Sequence, residues 1–305
     1  MYKAHDSFET PPPDAGLWKY VDFTKFVSLL EKEALFFSSA ENFSDPFEGT
    51  YPMGNLELVS EDDRARMQNH AKSAADVIFV NCWHLSDVES AAMWRLYSAW
   101  DRGIAIRTTV KGLTSSLTCA EDIYIGAVKY IDYGSTQEID RSNIFSPYLT
   151  KRKSFEYEQE VRAITMNAGP DDADRLGTSA EWIETGIYYS VDLDVLVDEV
   201  LVAPQSEDWF VDLVQAVVKK YGLDAAVTRS ALAGQPPWWV PRSQRLPGLL
   251  DELSQVLGED FQLITSSDAK VSHRSHQGEG VHYGDYESYV RLHHGVSRSE
   301  TEAET

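Results

Sequence analysis

Hydrophobic and polar positions follow strand and helix periods along most of the first 232 residues. Residues 17–20 and 77–83 combine aromatic and β-branched side chains and predict strands, whereas the apolar positions of residues 23–34 recur at helical spacing. Glu and Arg alternate with apolar residues between 158 and 166, which predicts a further strand. The elements alternate too irregularly for a doubly wound sheet. We therefore predict an α+β fold, with a single mixed, mainly antiparallel sheet, flanking helices and a C-terminal extension.

Composition divides the chain into four segments. Residues 1–16 include three consecutive prolines and predict a flexible leader, and residues 17–232 predict the core domain. Residues 233–265 predict a linker rich in proline and tryptophan that carries one short helix. Residues 266–305 are polar and rich in histidine, so we predict a flexible tail there.

The formal charge of −22 narrows the classes of partner. The chain has 49 acidic and 27 basic residues, so Coulomb repulsion opposes broad binding to DNA or RNA. A small-molecule ligand is favoured, with or without a macromolecular acceptor. No apolar run approaches the roughly 18 residues that span a bilayer, and we expect no membrane partner. The first residues lack an apolar signal core, which predicts a cytoplasmic protein.

Metal and phosphate motifs are absent from the sequence. The two cysteines, Cys82 and Cys119, have no metal-type spacing, and the histidines after residue 266 are not compactly spaced. No Gly-rich loop of the Walker or Rossmann type is present. We therefore predict no metal site.

Glu158, Glu160 and Arg162 form the strongest chemical pattern. In a strand they would lie on one face, with the carboxylates roughly 7 Å apart. Burying two carboxylates together raises the pKa of at least one, and Arg162 can hold the other ionised. The alternative is a solvated strand edge with surface ion pairs, which is the common role of such a face.

Three other features have two interpretations each. Residues 45–48, Asp-Pro-Phe-Glu, would bind a cation or form a structural turn, and the turn is favoured. His84 would be a catalytic base or a satisfied histidine at the end of a strand, and the second role is favoured. Trp83 and Tyr97 would pack in the core or line a ligand pocket.

Several stretches together resemble the bacterial family named domain of unknown function 2971. The resemblance covers most of residues 17–232 and depends on the order and spacing of its pieces. It implies a relative without an established activity. The stretches are Leu17-Trp18-Lys19-Tyr20, Asp45-Pro46-Phe47-Glu48, Cys82-Trp83-His84 with Glu89-Ser90 and Met93-Trp94, Gly103-Ile104-Ala105-Ile106, and Phe155 with Glu158, Glu160, Val161 and Arg162.

The order of elements is also similar, more distantly, to the ADP-ribosyltransferase fold, including its DNA-modifying toxins. A strand with a basic residue comes first, and a strand with a glutamate comes late. The resemblance implies a split sheet with NAD as substrate, Lys19 at the first-strand position that serves the NAD ribose, and Glu160 at the position of the catalytic glutamate. The sequence departs from the pattern in having Lys at the first position and no Ser-Thr-Ser run on the middle strand.

The same resemblance implies further roles. Glu160 would stabilise the oxocarbenium ion that forms as the nicotinamide–ribose bond breaks, and Glu158 would deprotonate the acceptor. The full set of candidates for binding NAD is Lys19, Tyr20, Trp83, Tyr97 and Arg162.

Two functions therefore remain open. The first is an NAD-consuming ADP-ribosyltransferase or NAD glycohydrolase of the toxin or phage-defence type. The second is a non-catalytic module that binds a peptide or small ligand in an aromatic groove. Under the first function, Glu160 and Lys19 should face one cleft from adjacent central strands, and side chains on opposite faces of the sheet would contradict that function.

Overall fold

A ten-stranded sheet lies at the centre of the part of the chain that the computed structural model describes, which is residues 1–98, 101–167, 181–183 and 185–234. The predicted linker and tail beyond residue 234 lie outside the described residues. The strands are β1 (Gly16–Asp22), β2 (Ala34–Ser39), β3 (Ile78–Leu85), β4 (Gly103–Thr109), β5 (Tyr124–Ala127), β6 (Lys129–Ile131), β7 (Thr150–Arg152), β8 (Glu160–Met166), β9 (Glu181–Ile183), β10 (Gly186–Ser190), β11 (Glu199–Val202) and β12 (Ala226–Arg229).

The strand order along the main path of the sheet is β12-β11-β4-β1-β3-β2-β10-β9, and β8 pairs with β3 and with β5. All these pairs are antiparallel except β11–β12, which is parallel. Strands β6 and β7 form a separate parallel pair. The prediction of an α+β fold with one mixed, mainly antiparallel sheet is confirmed.

Seven described helices flank the sheet. Helix α1 begins after Asp22, whose carboxylate accepts the backbone N–H of Lys25, and it buries Phe26, Leu29 and Leu30. None of the described helices is long and apolar enough to cross a membrane. The helices are α1 (Phe23–Lys32), α2 (Met53–Glu57), α3 (Glu61–Ala74), α4 (Ala91–Tyr97), α5 (Val110–Ser116), α6 (Leu193–Leu196) and α7 (Asp208–Tyr221).

The sheet splits beside β3. Strand β8 pairs with one edge of β3 from Ile78 to His84. The other edge is shared, because β2 pairs with Phe79 and Val80 while β1 pairs only with His84 and Leu85. Between these two short ladders, residues 81–83 face a gap between β1 and β2. We call this gap the fork.

Side chains bridge the fork where backbone pairing stops. The amide Nδ2 of Asn81 donates to the carbonyl oxygen of Phe36 at 2.7 Å. The ammonium of Lys19 donates to the carbonyl oxygen of Cys82 at 2.9 Å and to Oδ1 of Asn81 at 3.2 Å. Buried backbone carbonyls need such partners, so these bonds keep the divergent strands together.

The residues preceding β1 pack against the sheet. Thr10 donates its hydroxyl to the carbonyl oxygen of Ile125, and the N–H of Lys3 donates to the carbonyl oxygen of Ile123. Phe8 is buried against Phe145. The prediction of a flexible leader at residues 1–16 is therefore wrong, because one aromatic side chain and several backbone bonds anchor the segment to β5.

The start of the predicted strand at residues 158–166 is wrong by two residues. Lys153–Glu158 forms a 3-10 helix, and Gln159 has a φ of 43°, in the left-handed region. Strand β8 begins only at Glu160. Glu158 therefore reaches its neighbours from a turn and does not alternate with Glu160 along one strand.

Helix α4 does not begin where the local sequence pattern suggests. Ser86 and Glu89 match a capping-box pattern, yet α4 begins at Ala91 with Ser90 as its cap. The carboxylate of Glu89 instead accepts the indole N–H of Trp94 at 2.9 Å. A side-chain bond to a buried tryptophan within α4 thus takes the place of the capping bond.

Candidate functional site

A cavity of about 700 Å³ lies at the fork. Its walls come from β1, α1, β2, β3 and β8, from α4, and from the loop that contains Glu48. Six of the seven candidate residues line it, and Glu158 is the exception. Those that line it are Lys19, Tyr20, Trp83, Tyr97, Glu160 and Arg162.

Glu160 is buried at the wall of this cavity, with 7% of its surface exposed. Its Oε1 accepts from the ammonium of Lys151 at 2.8 Å, and its Oε2 accepts from Nε of Arg162 at 2.6 Å. Its backbone N–H donates to the hydroxyl of Tyr130 at 2.8 Å. The alternative of a solvated edge is wrong, because β3 and β5 occupy both edges of β8.

Lys151 and Arg162 join Glu160 to two further carboxylates. The ammonium of Lys151 lies 2.5 Å from Oε2 of Glu158 and 3.6 Å from Oε1 of Glu48. Arg162 pairs with the other oxygen of Glu48 and donates to the carbonyl oxygen of Tyr148 at 2.7 Å. Three carboxylates and two cations therefore form one buried network.

The loop at residues 45–48 is part of this network and acts structurally. Asp45 is buried and pairs with Arg152 through both carboxylate oxygens, at 2.9 and 3.0 Å. Glu48 holds Arg162 and Lys151 from the opposite side of the cavity wall. The favoured interpretation of this segment as a structural turn agrees with these contacts.

The two glutamates near Lys151 have opposite pKa shifts. Burial alone would raise the pKa of Glu160, but Arg162, a hydrogen bond with Glu158 and the charge of Lys151 outweigh it and hold that pKa well below its ordinary value. Burial raises the pKa of Glu158, and its hydrogen bond with Glu160 adds to the effect. A pair of groups shifted apart in this way is typical of acid–base sites, although structural ion networks also produce it.

Lys19 and Glu160 both line the cavity, but the expected arrangement on adjacent strands is wrong. Strand β3 lies between β1 and β8. Side chains alternate along a strand, so Lys19 leaves the same face of the sheet as Leu17 and Trp83, whereas Glu160 leaves the opposite face. The condition set for the first function is therefore not met, although both residues line one cavity.

Burial lowers the pKa of Lys19 to about 8. Among the described residues its hydrogen-bond acceptors are neutral oxygens, and its ammonium lies 5.2 Å from the centre of the Trp83 ring. The indole N–H of Trp83 is buried and has no hydrogen-bond partner within the described part of the chain. The site therefore contains a half-buried cation and a buried donor without a partner side by side.

Residues 93–163 match the model of a family described as "Protein of unknown function (DUF2971)". The chain is similar to this family over that segment. The matched segment contains Glu158, Glu160 and Arg162 and the cation Lys151 that joins them, whereas Lys19 lies outside it. No curated protein and no solved structure matches the chain. The ADP-ribosyltransferase resemblance stays a prediction.

His84 lies next to the buried network of Lys151, Arg162 and their carboxylate partners. Its Nδ1 lies 2.6 Å from the backbone carbonyl oxygen of Glu158. A carbonyl oxygen only accepts, so Nδ1 carries a proton, and Nε2 of the neutral ring is an acceptor. His84 lies near the end of its strand, as predicted. It also lines the cavity, so it can contact a ligand there.

The two other aromatic candidates, Tyr20 and Tyr97, differ in their hydrogen bonds and in their exposure to solvent. The hydroxyl of Tyr20 accepts the backbone N–H of Ser90 at 2.8 Å, and its ring lies edge-on to Trp94. Tyr97 is 45% exposed, and the DUF2971 match includes it. Tyr20 therefore forms a fixed part of the cavity wall, whereas Tyr97 is accessible from solvent.

Sequence reasoning missed several residues of the site. Lys151 lies in the basic run Lys151-Arg152-Lys153, and no pattern in the sequence singles out Tyr130 or Asn81. The pairing of β6 with β7 explains why Lys151 and Tyr130 belong to the site. It places these two residues opposite each other, and both form hydrogen bonds with Glu160. Within the described residues, no group of three or more His, Cys, Asp and Glu side chains is arranged to hold a metal ion.

We predict that the Cys82 thiol is unreactive in the folded protein. Burial raises its pKa to about 12, so at pH 8 only ~1 in 10,000 of these thiols is ionised. Iodoacetamide at pH 8 should label Cys82 slowly in buffer and rapidly in denaturing urea, as measured by mass spectrometry of the tryptic peptide. Labelling in buffer at the rate of free glutathione would contradict this prediction.

Proposed function

We propose that the chain binds NAD in the cavity at the fork and releases nicotinamide, passing the ADP-ribosyl group to water or to a macromolecular acceptor. The observation that carries the proposal is Glu160, a buried carboxylate that Arg162 and Lys151 hold ionised at the wall of a cavity of about 700 Å³. A fixed negative charge there would stabilise a cationic sugar more than water can.

The proposed reaction breaks the bond between the ribose C1′ and the nicotinamide nitrogen. The bonding electrons leave with nicotinamide, and Glu160 stabilises the resulting oxocarbenium ion. An acceptor hydroxyl then forms the new bond to C1′ and loses its proton. Since Glu158 does not line the cavity, it acts through Lys151 and Glu160, and Nε2 of His84 is the group at the wall that takes the proton.

The charges of the cavity wall also support an anionic ligand. The chain has a net charge of −22, yet the wall carries more cations than carboxylates. Such a local excess of positive charge attracts an anion despite the charge of the whole molecule. The charged wall residues are Lys19, Lys25, Lys151, Arg162, Glu48 and Glu160.

The test compares the wild type with Glu160→Gln, using NAD labelled in its nicotinamide, with and without cell lysate. Glu160→Gln keeps the shape of the side chain and removes its charge. We expect nicotinamide release to fall about a hundredfold, the loss typical of removing one stabilising group from a transition state. Glu199→Gln, on β11, is the matched control and should release nicotinamide as the wild type does.

Melting temperatures of both variants show whether a lost activity reflects lost folding. Equal release by the wild type and a folded Glu160→Gln variant would refute the proposed role of Glu160. No release by the wild type, with or without lysate, would refute the reaction itself.

A non-catalytic module that binds a peptide or small ligand is the second candidate. Its supporting observation is that both carboxylate oxygens of Glu160 already accept from cations, as they would in a purely structural network. In this case calorimetry would detect a bound ligand, and no nicotinamide would be released.

A further inference from the structure

Lys19 is a half-buried cation without a counterion among the described residues. Its ammonium donates to the carbonyl oxygen of Cys82 and to the amide oxygen of Asn81, and no described carboxylate forms an ion pair with it. Removing a charge from water is costly unless an opposite charge compensates it. The fold therefore keeps at the cavity a charge that none of the described side chains pairs with.

The donor of Trp83 is a second and independent observation. Its side chain is 2% exposed, and its indole N–H has no partner among the described residues. Buried donors without a partner are rare in folded proteins, and a ligand is one explanation for such a group. Trp83 lines the same cavity as Lys19, whose ammonium lies over its ring.

Two neighbouring elements bring charges near Lys19. Lys25 on α1 repels its ammonium, while Glu160 on β8 favours the charged form. Glu160 is already paired with Lys151 and Arg162, so it contributes only at a distance. Lys25 has its own partner, Asp22, at 3.3 Å. Among these charged groups, Lys19 alone lacks an ion pair.

We propose that the fork is an oxyanion site, in which the ammonium of Lys19 and the indole N–H of Trp83 bind one phosphate-type group of the ligand. This inference rests on the proposed use of the cavity for a ligand and names the part of the ligand that enters the fork. A tetrahedral oxyanion supplies the missing negative charge and has enough acceptors for both donors.

The experiment measures binding of inorganic pyrophosphate by calorimetry at pH 7, with no NAD present. Lys19→Met removes the charge and keeps the length of the side chain, and we expect binding to weaken at least about tenfold. Trp83→Phe removes the N–H and keeps an aromatic ring, and binding should weaken several-fold. Lys3→Met removes an exposed cation that pairs with Asp122 away from the cavity, and it serves as the control, with an affinity within about twofold of the wild type.

A second readout separates a direct contact from a structural effect. At pH 8 about half of the Lys19 amines are neutral, so pyrophosphate binding should recruit protons to them. Calorimetric titrations at pH 8 in two buffers of different ionisation enthalpy measure the protons taken up for each pyrophosphate bound. The wild type should take up about half a proton more than Lys19→Met. Circular dichroism confirms that each variant is folded.

Three results would overturn the oxyanion site. They are no pyrophosphate binding by the wild type, unchanged affinity in a folded Lys19→Met variant, and equal proton uptake by both proteins. None of them depends on nicotinamide release. An inactive protein that binds pyrophosphate through Lys19 would refute the proposed reaction and leave the oxyanion site intact.

Discussion

Arg162→Met is expected to lower the free energy of unfolding by about 3–5 kcal/mol, the usual cost of removing one partner from a buried ion pair. Arg162 is 1% exposed and holds Glu160, Glu48 and the carbonyl oxygen of Tyr148. Methionine fills similar space but leaves two buried carboxylates with only Lys151 to compensate them. The loss is large because the abandoned charges stay buried.

Urea denaturation at pH 7 measures this effect. The matched control is Arg229→Met, which removes a surface pair with Asp208, a residue whose side chain is 95% exposed. Exposed pairs contribute about 0–1 kcal/mol, so the control should stay close to the wild type. A loss in Arg162→Met no larger than that of the control would show that the network relaxes or admits water.

The second large effect is a dependence of stability on pH that Lys19 imposes. The folded pKa of Lys19, about 8, lies below its ordinary value of 10.5. The unfolded chain therefore binds more protons between pH 8 and 10.5, and the folded state gains stability as the pH rises through that window. A shift of this size corresponds to roughly 3 kcal/mol, since one pKa unit equals about 1.4 kcal/mol.

Comparison with Lys19→Met isolates this contribution. Other groups titrate over the same range, but they do so in both proteins and cancel in the difference. The free energy of unfolding of the wild type relative to the variant should rise by roughly 3 kcal/mol between pH 7 and pH 10.5. A difference that stays constant over this range would show that Lys19 keeps its ordinary pKa and is well hydrated.

These two residues illustrate different uses of buried charge. Arg162 is fully paired, so removing it destabilises the fold. Lys19 is not paired with a carboxylate in the described residues, so its charge opposes folding at neutral pH and relaxes as the amine loses its proton. A group retained at such a cost is a candidate for a functional role, because functional sites commonly sacrifice stability.

The sequence by itself determined the fold class and several local features. Apolar periodicity predicted α1, which Asp22 caps. The β-branched and aromatic residues at 77–83 predicted β3, which runs from Ile78 to Leu85. Both features depend on near neighbours in the chain, so composition and spacing were sufficient.

The sequence also selected most residues of the site without their geometry. Glu160, Arg162 and Lys19 were candidates because of their chemistry and the family resemblance, and all three line one cavity. The alternation of side chains along a strand was not enough to predict on which face of the sheet each of these residues lies. Glu158 shows why, since the left-handed turn at Gln159 shifts it out of the strand.

Only the tertiary structure decided whether these charges are buried and which ones meet. Strand β8 is enclosed by β3 and β5, which are distant in sequence, and this enclosure turns an apparent surface pattern into a buried network. The fork arises because β1 and β2 share one edge of β3, a pairing that no local pattern encodes. Burial and strand order depend on contacts between distant segments, and those contacts set the pKa of Lys19 and of Glu160.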